Sequence, residues 1–233
     1  MSPNQRPYLP ALAFRALTPL YDPVIRWTMR EDTFRERLVR HAGVRAGHRV
    51  LDLGCGTGSL AVRLAQAAPG AEVVGIDPDP EVLRRAAGKA ARAGVDVRFE
   101  EGSAESLPFG DGSLDRVVSS LVFHHLAPEM KRRAAAEIFR VLRPGGELHV
   151  ADWGRPQNGA MRAAFFALQL LDGFATTAEN VAGRLPDIFR QAGFTAVAER
   201  DRLATPFGTL ALYSGARGAG ADRPLTRNRA EEA

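Results

Sequence analysis

The sequence predicts an α/β fold in which a mainly parallel sheet has helices on both faces. Two observations support this fold class. Apolar segments of strand length alternate with helical segments, and a glycine-rich turn joins the first of these strands to a helix. Parallel strands need crossover helices, which cover both faces of the sheet. We expect such strands at 49–53, 72–76, 95–100, 115–120 and 146–151, with crossover helices at 59–68, 80–93 and 129–142.

Further elements are expected on either side of this series. Helical segments are predicted over 9–17, 32–42, 160–175 and 178–192, and two more strands over 195–203 and 207–214. The resulting organisation is an N-terminal helical cap segment over 1–45 and a main domain over 46–215, with a helical lid at about 156–192. A Gly/Ala/Arg/Glu-rich tail over 216–233 is expected to be disordered.

Composition excludes several classes of protein. The chain has 233 residues, 45% of them hydrophobic and 25% charged, and no apolar run approaches the ~20 residues of a membrane span. The single cysteine excludes a disulfide framework and a cysteine metal site, and no metal is expected. No signal-peptide pattern opens the sequence, so a cytoplasmic location is expected.

Charge alone raises the question of nucleic acid, because the net charge is +4 and the pI is 9.8. The arginines are scattered, however, and no aromatic–basic alternation marks a base-stacking surface, so no nucleic-acid partner is expected. The runs Arg84-Arg85 and Lys131-Arg132-Arg133 fall on predicted helix faces and are interpreted as solvated. Peripheral contact with a membrane surface, or an acidic substrate, is left open.

The segment from Val50 to Leu60, VLDLGCGTGSL, is the most informative in the chain. An apolar strand leads into three glycines at alternate positions, and a helix begins near Ser59. Glycines let the backbone turn tightly and approach a ligand, while the helix N-terminus adds unpaired N–H groups and a positive dipole end. The loop is therefore predicted to receive a nucleotide-like cofactor. Cys55 within it is interpreted as a small space-filling residue, not a nucleophile.

A second apolar strand ends in Asp77, 19 positions after Gly58. In a right-handed strand–helix–strand unit the two strands are neighbours, so the Asp77 carboxylate is expected beside the glycine loop, where it could accept both hydroxyls of a ribose. The alternative is that Asp77-Pro78-Asp79-Pro80 forms only a turn and a helix N-cap, which explains Asp79 better than Asp77.

These residues resemble the first motif of class I S-adenosylmethionine-dependent methyltransferases, E/D-x-G-x-G-x-G, with Asp52, Gly54, Gly56 and Gly58 at the matching positions. Ser59 stands where a dinucleotide dehydrogenase has Gly or Ala, which favours the methyltransferase. Segments further along are similar to other motifs of the family, at 101–115, 116–126 and 134–146. The resemblance covers roughly residues 20 to 215, and the most similar subgroup is the ubiquinone/menaquinone-type and related small-molecule methyltransferases.

The resemblance implies a Rossmann-like three-layer sandwich with a mostly parallel seven-stranded sheet and an antiparallel terminal strand. It also implies S-adenosylmethionine as the cofactor and an N-terminal segment that folds over it. The cofactor-binding residues are expected to be Asp52, Gly54, Cys55, Gly56, Gly58, Asp77, Pro78, Ser103, Ala104, Glu105 and Ser120. The family often has Asp at the position of Ser103, so a weaker hydrogen bond to the adenine amino group is expected, unless Glu105 compensates.

The methyl acceptor is expected at the carboxyl ends of the fourth and fifth strands, because ligands of open parallel sheets lie there. His124 and His125 are candidate general bases, and Asp152 could orient one of them or hold a polar group of the substrate. A purely structural role for either histidine is the alternative. The candidate substrate residues are Tyr21, Asp152, Trp153 and Phe166.

The acceptor is expected to be a small, apolar or aromatic metabolite if the phenylalanines of the lid line its pocket; the alternative is that they are ordinary core. Two other classes of protein stay open. One is a nicotinamide dehydrogenase, and the other is a non-catalytic protein of the same fold that binds the nucleoside as a regulator. The protein is expected to be a monomer or a homodimer.

Overall fold

A computed structural model describes residues 31–220 of the chain, except for the side chains at positions 167, 168 and 170–172. The predicted helix over 9–17 and Tyr21 lie outside the described residues. The strands are β1 Arg49–Leu53, β2 Glu72–Asp77, β3 Arg98–Glu101, β4 Leu114–Ser120, β5 Leu142–Trp153, β6 Thr195–Thr205 and β7 Gly208–Ala216. The helices are α1 Glu31–Ala42, α2 Ser59–Ala67, α3 Pro80–Ala93, α4 Pro128–Val141, α5 Gly159–Asp172, α6 Phe174–Val181 and α7 Leu185–Gln191.

The strands form one seven-stranded sheet in the order β3-β2-β1-β4-β5-β7-β6. The first five strands run parallel, and β7 runs antiparallel to both β5 and β6. The predicted fold class is therefore confirmed. Because β2 lies on one side of β1 and β4 on the other, the strand order reverses at β1, and a crevice opens at the carboxyl ends of β1 and β4.

Both faces of the sheet are buried, so the central strands are apolar at consecutive positions. Leu51 and Val117 point to the face covered by α4 and α7, where they join the core with Ile138 and Phe189. Val50 and its neighbours point to the opposite face, which α1 and α2 cover. This two-sided burial explains why the strand segments are continuously hydrophobic instead of alternating with polar residues.

The lid differs from its prediction in where its helices break. The expected helices over 160–175 and 178–192 become α5, α6 and α7, separated at Gly173 (φ +92°) and near Gly183 (φ +72°). A left-handed backbone conformation suits glycine, and it ends each helix. The strand β3 also begins at Arg98, three residues later than the expected start.

The ordered chain continues past the expected domain boundary at residue 215. Arg217 forms backbone hydrogen bonds with Gly145 and Gly146, and its Nη1 donates to the carbonyls of Phe139, Arg140 and Leu142 at 2.8–3.0 Å. A guanidinium there satisfies carbonyl groups at the end of α4 and interacts favourably with the helix dipole. The expectation of a tail disordered from residue 216 is therefore wrong for Arg217; residues 221–233 lie outside the described part.

Candidate active site

The glycine loop between β1 and α2 is left-handed at Gly54, Gly56 and Gly58, with φ values of +67°, +51° and +74°. A Cβ at Gly54 would lie 2.3 Å from Cγ2 of Val122, and one at Gly58 would lie 2.8 Å from Cβ of Ala86. A Cβ at Gly56 would meet no described atom within 4 Å. Packing thus requires glycine at the first and third positions, whereas the second faces open space where a ligand can approach.

The loop is tied to the end of β2. The N–H groups of Gly54 and Cys55 donate to the Ile76 carbonyl, and the N–H of Gly56 donates to Oδ2 of Asp77 at 2.9 Å. The other oxygen of Asp77 accepts the N–H of Asp79 at 3.0 Å. Burial raises the pKa of Asp77, and these two backbone hydrogen bonds oppose the rise. A carboxylate has about four acceptor positions, so Asp77 can still accept further hydrogen bonds.

Asp52 is the penultimate residue of β1 and is 1% exposed. Neither of its carboxylate oxygens has a hydrogen-bond partner among the residues that the structure describes. Burial raises the pKa of Asp52 to about 7, although the charge of Arg35 and the backbone of Ala61 act in the opposite direction. A buried carboxylate without partners is costly, so Asp52 is suited to accept hydrogen bonds from a cationic group of a ligand.

Two other side chains of this region, those of Cys55 and Ser59, are held by contacts within the protein. Burial, together with the charges of Asp52 and Asp77, raises the pKa of the Cys55 thiol, which keeps it protonated at neutral pH. The hydroxyl of Ser59 accepts a hydrogen bond from Nζ of Lys89, which also donates to the hydroxyl of Thr57. Lys89 reaches the loop from α3, and nothing local in the sequence indicates this contact.

The loop after β3 carries the residues expected at the adenine. Ser103 is exposed, and its hydroxyl accepts the N–H of Glu105 at 3.3 Å. Glu105 forms an ion pair with Arg133 at 3.4 Å, so its carboxylate is already partly engaged. Ala104, in the same loop, is half-buried, and Pro78, which follows β2, is exposed. Each of these placements is compatible with adenine contact, and the individual roles stay predictions.

Two residues of α4 hold this loop in place. Oε2 of Glu137 accepts the N–H of Leu107 at 2.9 Å and pairs with Arg140, whose Nη1 donates to the Phe109 carbonyl at 2.8 Å. Glu137 and Arg140 were not among the predicted site residues. They lie within the segment at 134–146 that resembles a family motif, and that match is the signal by which they could have been found.

In the segment that follows β4, a histidine forms a buried pair with an aspartate of β5. Leu121 follows Ser120 with a left-handed backbone (φ +59°), after which a short 3-10 helix covers Phe123–His125. Nδ1 of His124 lies 2.9 Å from Oδ1 of Asp152, and the two side chains are 5% and 0% exposed. An ionised carboxylate only accepts hydrogen bonds, so Nδ1 carries the proton and Nε2 is the nitrogen that can receive another.

The carboxylate of Asp152 is extensively hydrogen-bonded. Oδ2 accepts the N–H of Phe123 at 2.8 Å, and Oδ1 accepts the N–H of Trp153 at 2.7 Å and Nδ2 of Asn180 at 3.0 Å. Burial acts to raise the pKa of Asp152, but His124, the N–H of Trp153 and the charge of His125 together hold it below its usual value. The environment therefore keeps Asp152 ionised and able to orient His124.

The other candidates occupy different environments. His125 is exposed, with its ring centroid 3.9 Å from that of His124; desolvation on the packed side and the neighbouring His124 lower its pKa to about 4. Trp153 is 2% exposed and packs against Phe165, while Phe166 is 50% exposed. Asp152 and Trp153 are both buried, and their contact with a substrate stays a prediction.

The prediction that Lys131 is solvated is wrong. Its side chain is fully buried, and Nζ donates to Oδ1 of Asn180 at 2.7 Å and to the Thr176 carbonyl at 2.5 Å. Burial lowers the pKa of Lys131, whereas the charges of Glu179 and Asp152 raise it.

Within residues 31–220, no three His, Cys, Asp or Glu side chains come together as a metal site. No helix in the same part of the chain is long and apolar enough to cross a membrane.

Comparison with known proteins identifies the relatives of this chain. Residues 50–146 match a methyltransferase domain family. The chain is 42% identical over 149 residues to a demethylmenaquinone methyltransferase of Thermus thermophilus, covering 63% of this chain and 67% of the relative. It is 34% identical over 167 residues to an uncharacterised methyltransferase of Synechocystis, covering 72% and 76%. A solved complex of a methyltransferase with the Haloferax volcanii Trm112 activator contains a chain with a TM-score of 0.64, 25% identity and coverage of 85% and 94%.

The fold and the site define a class I S-adenosylmethionine-dependent methyltransferase. The chain belongs to the methyltransferase family of these relatives, and its cofactor is S-adenosylmethionine. The resemblance stated from the sequence is therefore confirmed. The residues present fit this cofactor: Asp52 offers two unpaired buried oxygens for a cation, the backbone above Gly56 is open, and Asp77 retains acceptor positions at the end of β2.

Proposed function

We propose that this enzyme methylates a small, apolar or aromatic metabolite at a position that must lose a proton. The observation that carries the proposal is the buried pair of His124 and Asp152 at the carboxyl edge of the sheet. A base is needed only when the acceptor is protonated, as a phenol or an acidic carbon is. The exposed rings of Phe166 and Phe174, whose centroids are 5.4 Å apart, support an apolar acceptor.

The chain's own residues have separate tasks in this mechanism. Asp52 accepts hydrogen bonds from the positively charged end of the cofactor's methionine part, and Asp77 accepts them from the ribose hydroxyls. When bound, S-adenosylmethionine supplies an electrophilic methyl group on a good leaving group. Nε2 of His124 removes the acceptor's proton, and Asp152 holds Nδ1–H and stabilises the imidazolium that forms. The protein otherwise aligns the two reactants and excludes water.

The acceptor class is supported further by one relative. The Thermus thermophilus protein is named for a demethylated menaquinone, an aromatic quinone whose reduced form carries ionisable hydroxyl groups. A hydroxylated bicyclic ring would meet both requirements of the site, because it is apolar and has a proton for His124 to remove. We therefore propose reduced hydroxy-aromatic compounds as the first class to test.

The test is an acceptor screen that follows S-adenosylhomocysteine formation and methylated product by mass spectrometry. The panel contains a reduced naphthoquinone without a ring methyl group, simple phenols, and phosphoethanolamine as a polar comparison. We expect turnover with the hydroxy-aromatic compounds, and a loss of about 10²- to 10⁴-fold in His124→Ala with cofactor affinity retained. His125→Ala is the matched comparison and should lose less. Turnover confined to the polar acceptor, or unaffected by His124→Ala, would contradict the proposal.

The remaining properties are predictions from the sequence. They comprise the cytoplasmic location, the exclusion of nucleic-acid acceptors, and a monomeric or homodimeric state. Asp152, Trp153, Phe166 and Tyr21 as substrate contacts are likewise open to the screen; the first two would need the lid to move before a substrate could touch them.

A further inference from the structure

A second layer of buried polar side chains lies behind the pair of His124 and Asp152. Asn180 of α6 and Lys131 of α4 are both completely buried. Nδ2 of Asn180 donates to Oδ1 of Asp152 at 3.0 Å, and Nζ of Lys131 donates to Oδ1 of Asn180 at 2.7 Å. The contacts form a continuous chain from Lys131 through Asn180 and Asp152 to His124.

The chemistry of this chain of contacts allows one orientation of the Asn180 amide. An ammonium group has donors only, and an ionised carboxylate has acceptors only. The amide oxygen must therefore face Lys131, and the amide nitrogen must face Asp152. Lys131 thus fixes the direction in which Asn180 donates, and Asn180 in turn fixes the position of one oxygen of Asp152.

Asn180 differs from the other donors to Asp152. The N–H groups of Phe123 and Trp153 belong to the backbone at the ends of β4 and β5, so the sheet itself holds them. Asn180 comes from the lid, 28 positions further along the chain. Its hydrogen bond links the lid helix α6 to the carboxylate that orients His124.

The charges near Asp152 also indicate that Lys131 acts on this carboxylate. Lys131 places a positive charge behind Asp152, with Glu179 at 3.8 Å from Nζ and Arg132 at 2.7 Å from Glu179. Burying an ammonium costs free energy, and well-packed apolar residues often replace buried ion networks without loss of stability. A buried lysine in this position is therefore better explained by what it does to Asp152 than by stability.

We propose that Asn180 and Lys131 are positioning residues of the methyl-transfer reaction, which hold Asp152 against His124 and set the basicity of that pair. The proposal rests on the proposed function of His124 as the base. Asn180 donates a hydrogen bond to Asp152, and Lys131 supplies positive charge; both make Asp152 a weaker stabiliser of the imidazolium. Removing either one should therefore make His124 easier to protonate.

Other titratable groups surround the pair and must stay constant in any test. His125 faces it from the 3-10 helix, Arg132 and Glu179 from α4 and α6, and Tyr213 from β7. None of the variants proposed here changes one of these groups. A change in pH dependence can then be assigned to the altered residue.

The experiment compares Asn180→Leu and Lys131→Met with Thr177→Val. Thr177 is a matched control because it is buried on the same helix and its hydroxyl is hydrogen-bonded to Gln169 and Gly173 instead of to Asp152. In the two test variants we expect kcat on the pH-independent plateau to fall at least about tenfold, because Asp152 no longer holds His124 in one position. The acidic limb of the pH–rate profile should move up by about 0.5 pH units or more, because the charge of Asp152 then stabilises the imidazolium more strongly. The dissociation constant for S-adenosylhomocysteine should change less than about twofold.

A second measurement does not need the acceptor. The His124 ring nitrogens are followed by ¹⁵N NMR during a pH titration of the enzyme saturated with S-adenosylhomocysteine. The same upward displacement is expected in Asn180→Leu and Lys131→Met, but not in Thr177→Val. If Asn180→Leu does not fold, Asn180→Ala removes the donor to Asp152 without adding a charge, and it carries the same expectation.

The outcomes separate the two proposals. Ring titrations and pH–rate limbs that match Thr177→Val in both variants would overturn the positioning role. Absence of turnover with every acceptor, alongside a displaced ring titration, would contradict the proposed function and leave the positioning of His124 supported.

Discussion

The N–H of Gly56 donates to Oδ2 of Asp77 at 2.9 Å, so the central glycine of the loop is bonded directly to the carboxylate at the end of β2. The two residues belong to separate motifs, 21 positions apart. Asp77 therefore holds the loop, and we propose that its remaining acceptor positions bind the ribose.

We predict that Asp77→Ala weakens binding of S-adenosylhomocysteine at least about tenfold, or about 1.4 kcal/mol, because the loop and the ribose both lose an acceptor. Isothermal titration calorimetry measures the effect. Asp79→Ala is the control, since Asp79 caps α3 through the N–H of Glu81 and should cost about 1 kcal/mol of stability with little change in affinity. Equal affinities for Asp77→Ala and the wild type would remove the ribose role.

Asp52→Asn should stabilise the cofactor-free enzyme at high pH. Because the folded-state pKa of about 7 lies above the usual 3.8, the folded protein binds more protons than the unfolded chain between these values, and stability falls as pH rises through this window. The full effect is up to about 4 kcal/mol above pH ~7 and vanishes below pH ~4. Thermal melts of both proteins across this range provide the measurement, and a constant difference in Tm would contradict it.

The same substitution should weaken binding of the cofactor. Asparagine has no negative charge for a cationic group, so S-adenosylmethionine should bind less tightly to Asp52→Asn. In the wild type, affinity should decrease as pH falls below about 7, where Asp52 becomes protonated. Titrations at several pH values check this, and the variant should show a flatter dependence.

Glu137→Gln should loosen the loop expected at the adenine. Hydrogen bonds to a charged group contribute about 1.5–3 kcal/mol, so we expect Tm to fall by several degrees and cofactor affinity to fall severalfold. Asp111→Asn serves as the control, because Asp111 also pairs with Arg140 but is 78% exposed. If both variants behave alike, the hydrogen bond from Leu107 to Glu137 does not contribute to cofactor binding.

Gly54→Ala and Gly56→Ala should fail in different ways. At Gly54 the new Cβ would collide with Val122, so a loss of stability is expected together with a loss of binding. At Gly56 the Cβ has space, and the left-handed backbone alone costs about 1 kcal/mol, so the protein should fold but bind the cofactor poorly. Comparing Tm with affinity for each variant distinguishes the two; similar losses of Tm would contradict the difference in packing.

The parts of the site that could be predicted depend on local requirements. A left-handed turn at Gly54 and a carboxylate at the end of the next strand are visible in a short stretch of sequence, and the alternation of elements places them together. The break at Gly173 also had a local signal, a glycine inside a helical pattern, although the expected helix continued through it.

Lys131 shows why the rest could not be predicted. It stands in a basic run on an amphipathic helix, where solvation is the ordinary outcome. Its burial depends on Thr176 and Asn180, which are 45 and 49 positions away and contact it through the packing of the lid on α4. The proposal of His124 instead of His125 as the base is also non-local, because it depends on a hydrogen bond to Asp152 across 28 positions.

The position of Cys55 affects how the protein responds to oxidants. It is the one cysteine in the sequence, so any disulfide between two copies would have to join Cys55 to Cys55. The residue is 8% exposed within the glycine loop, and its raised pKa holds the thiol in the unreactive protonated form. Handling in air without reductant should therefore leave the protein free of crosslinked dimers, and slow alkylation by thiol reagents would report how often this loop opens.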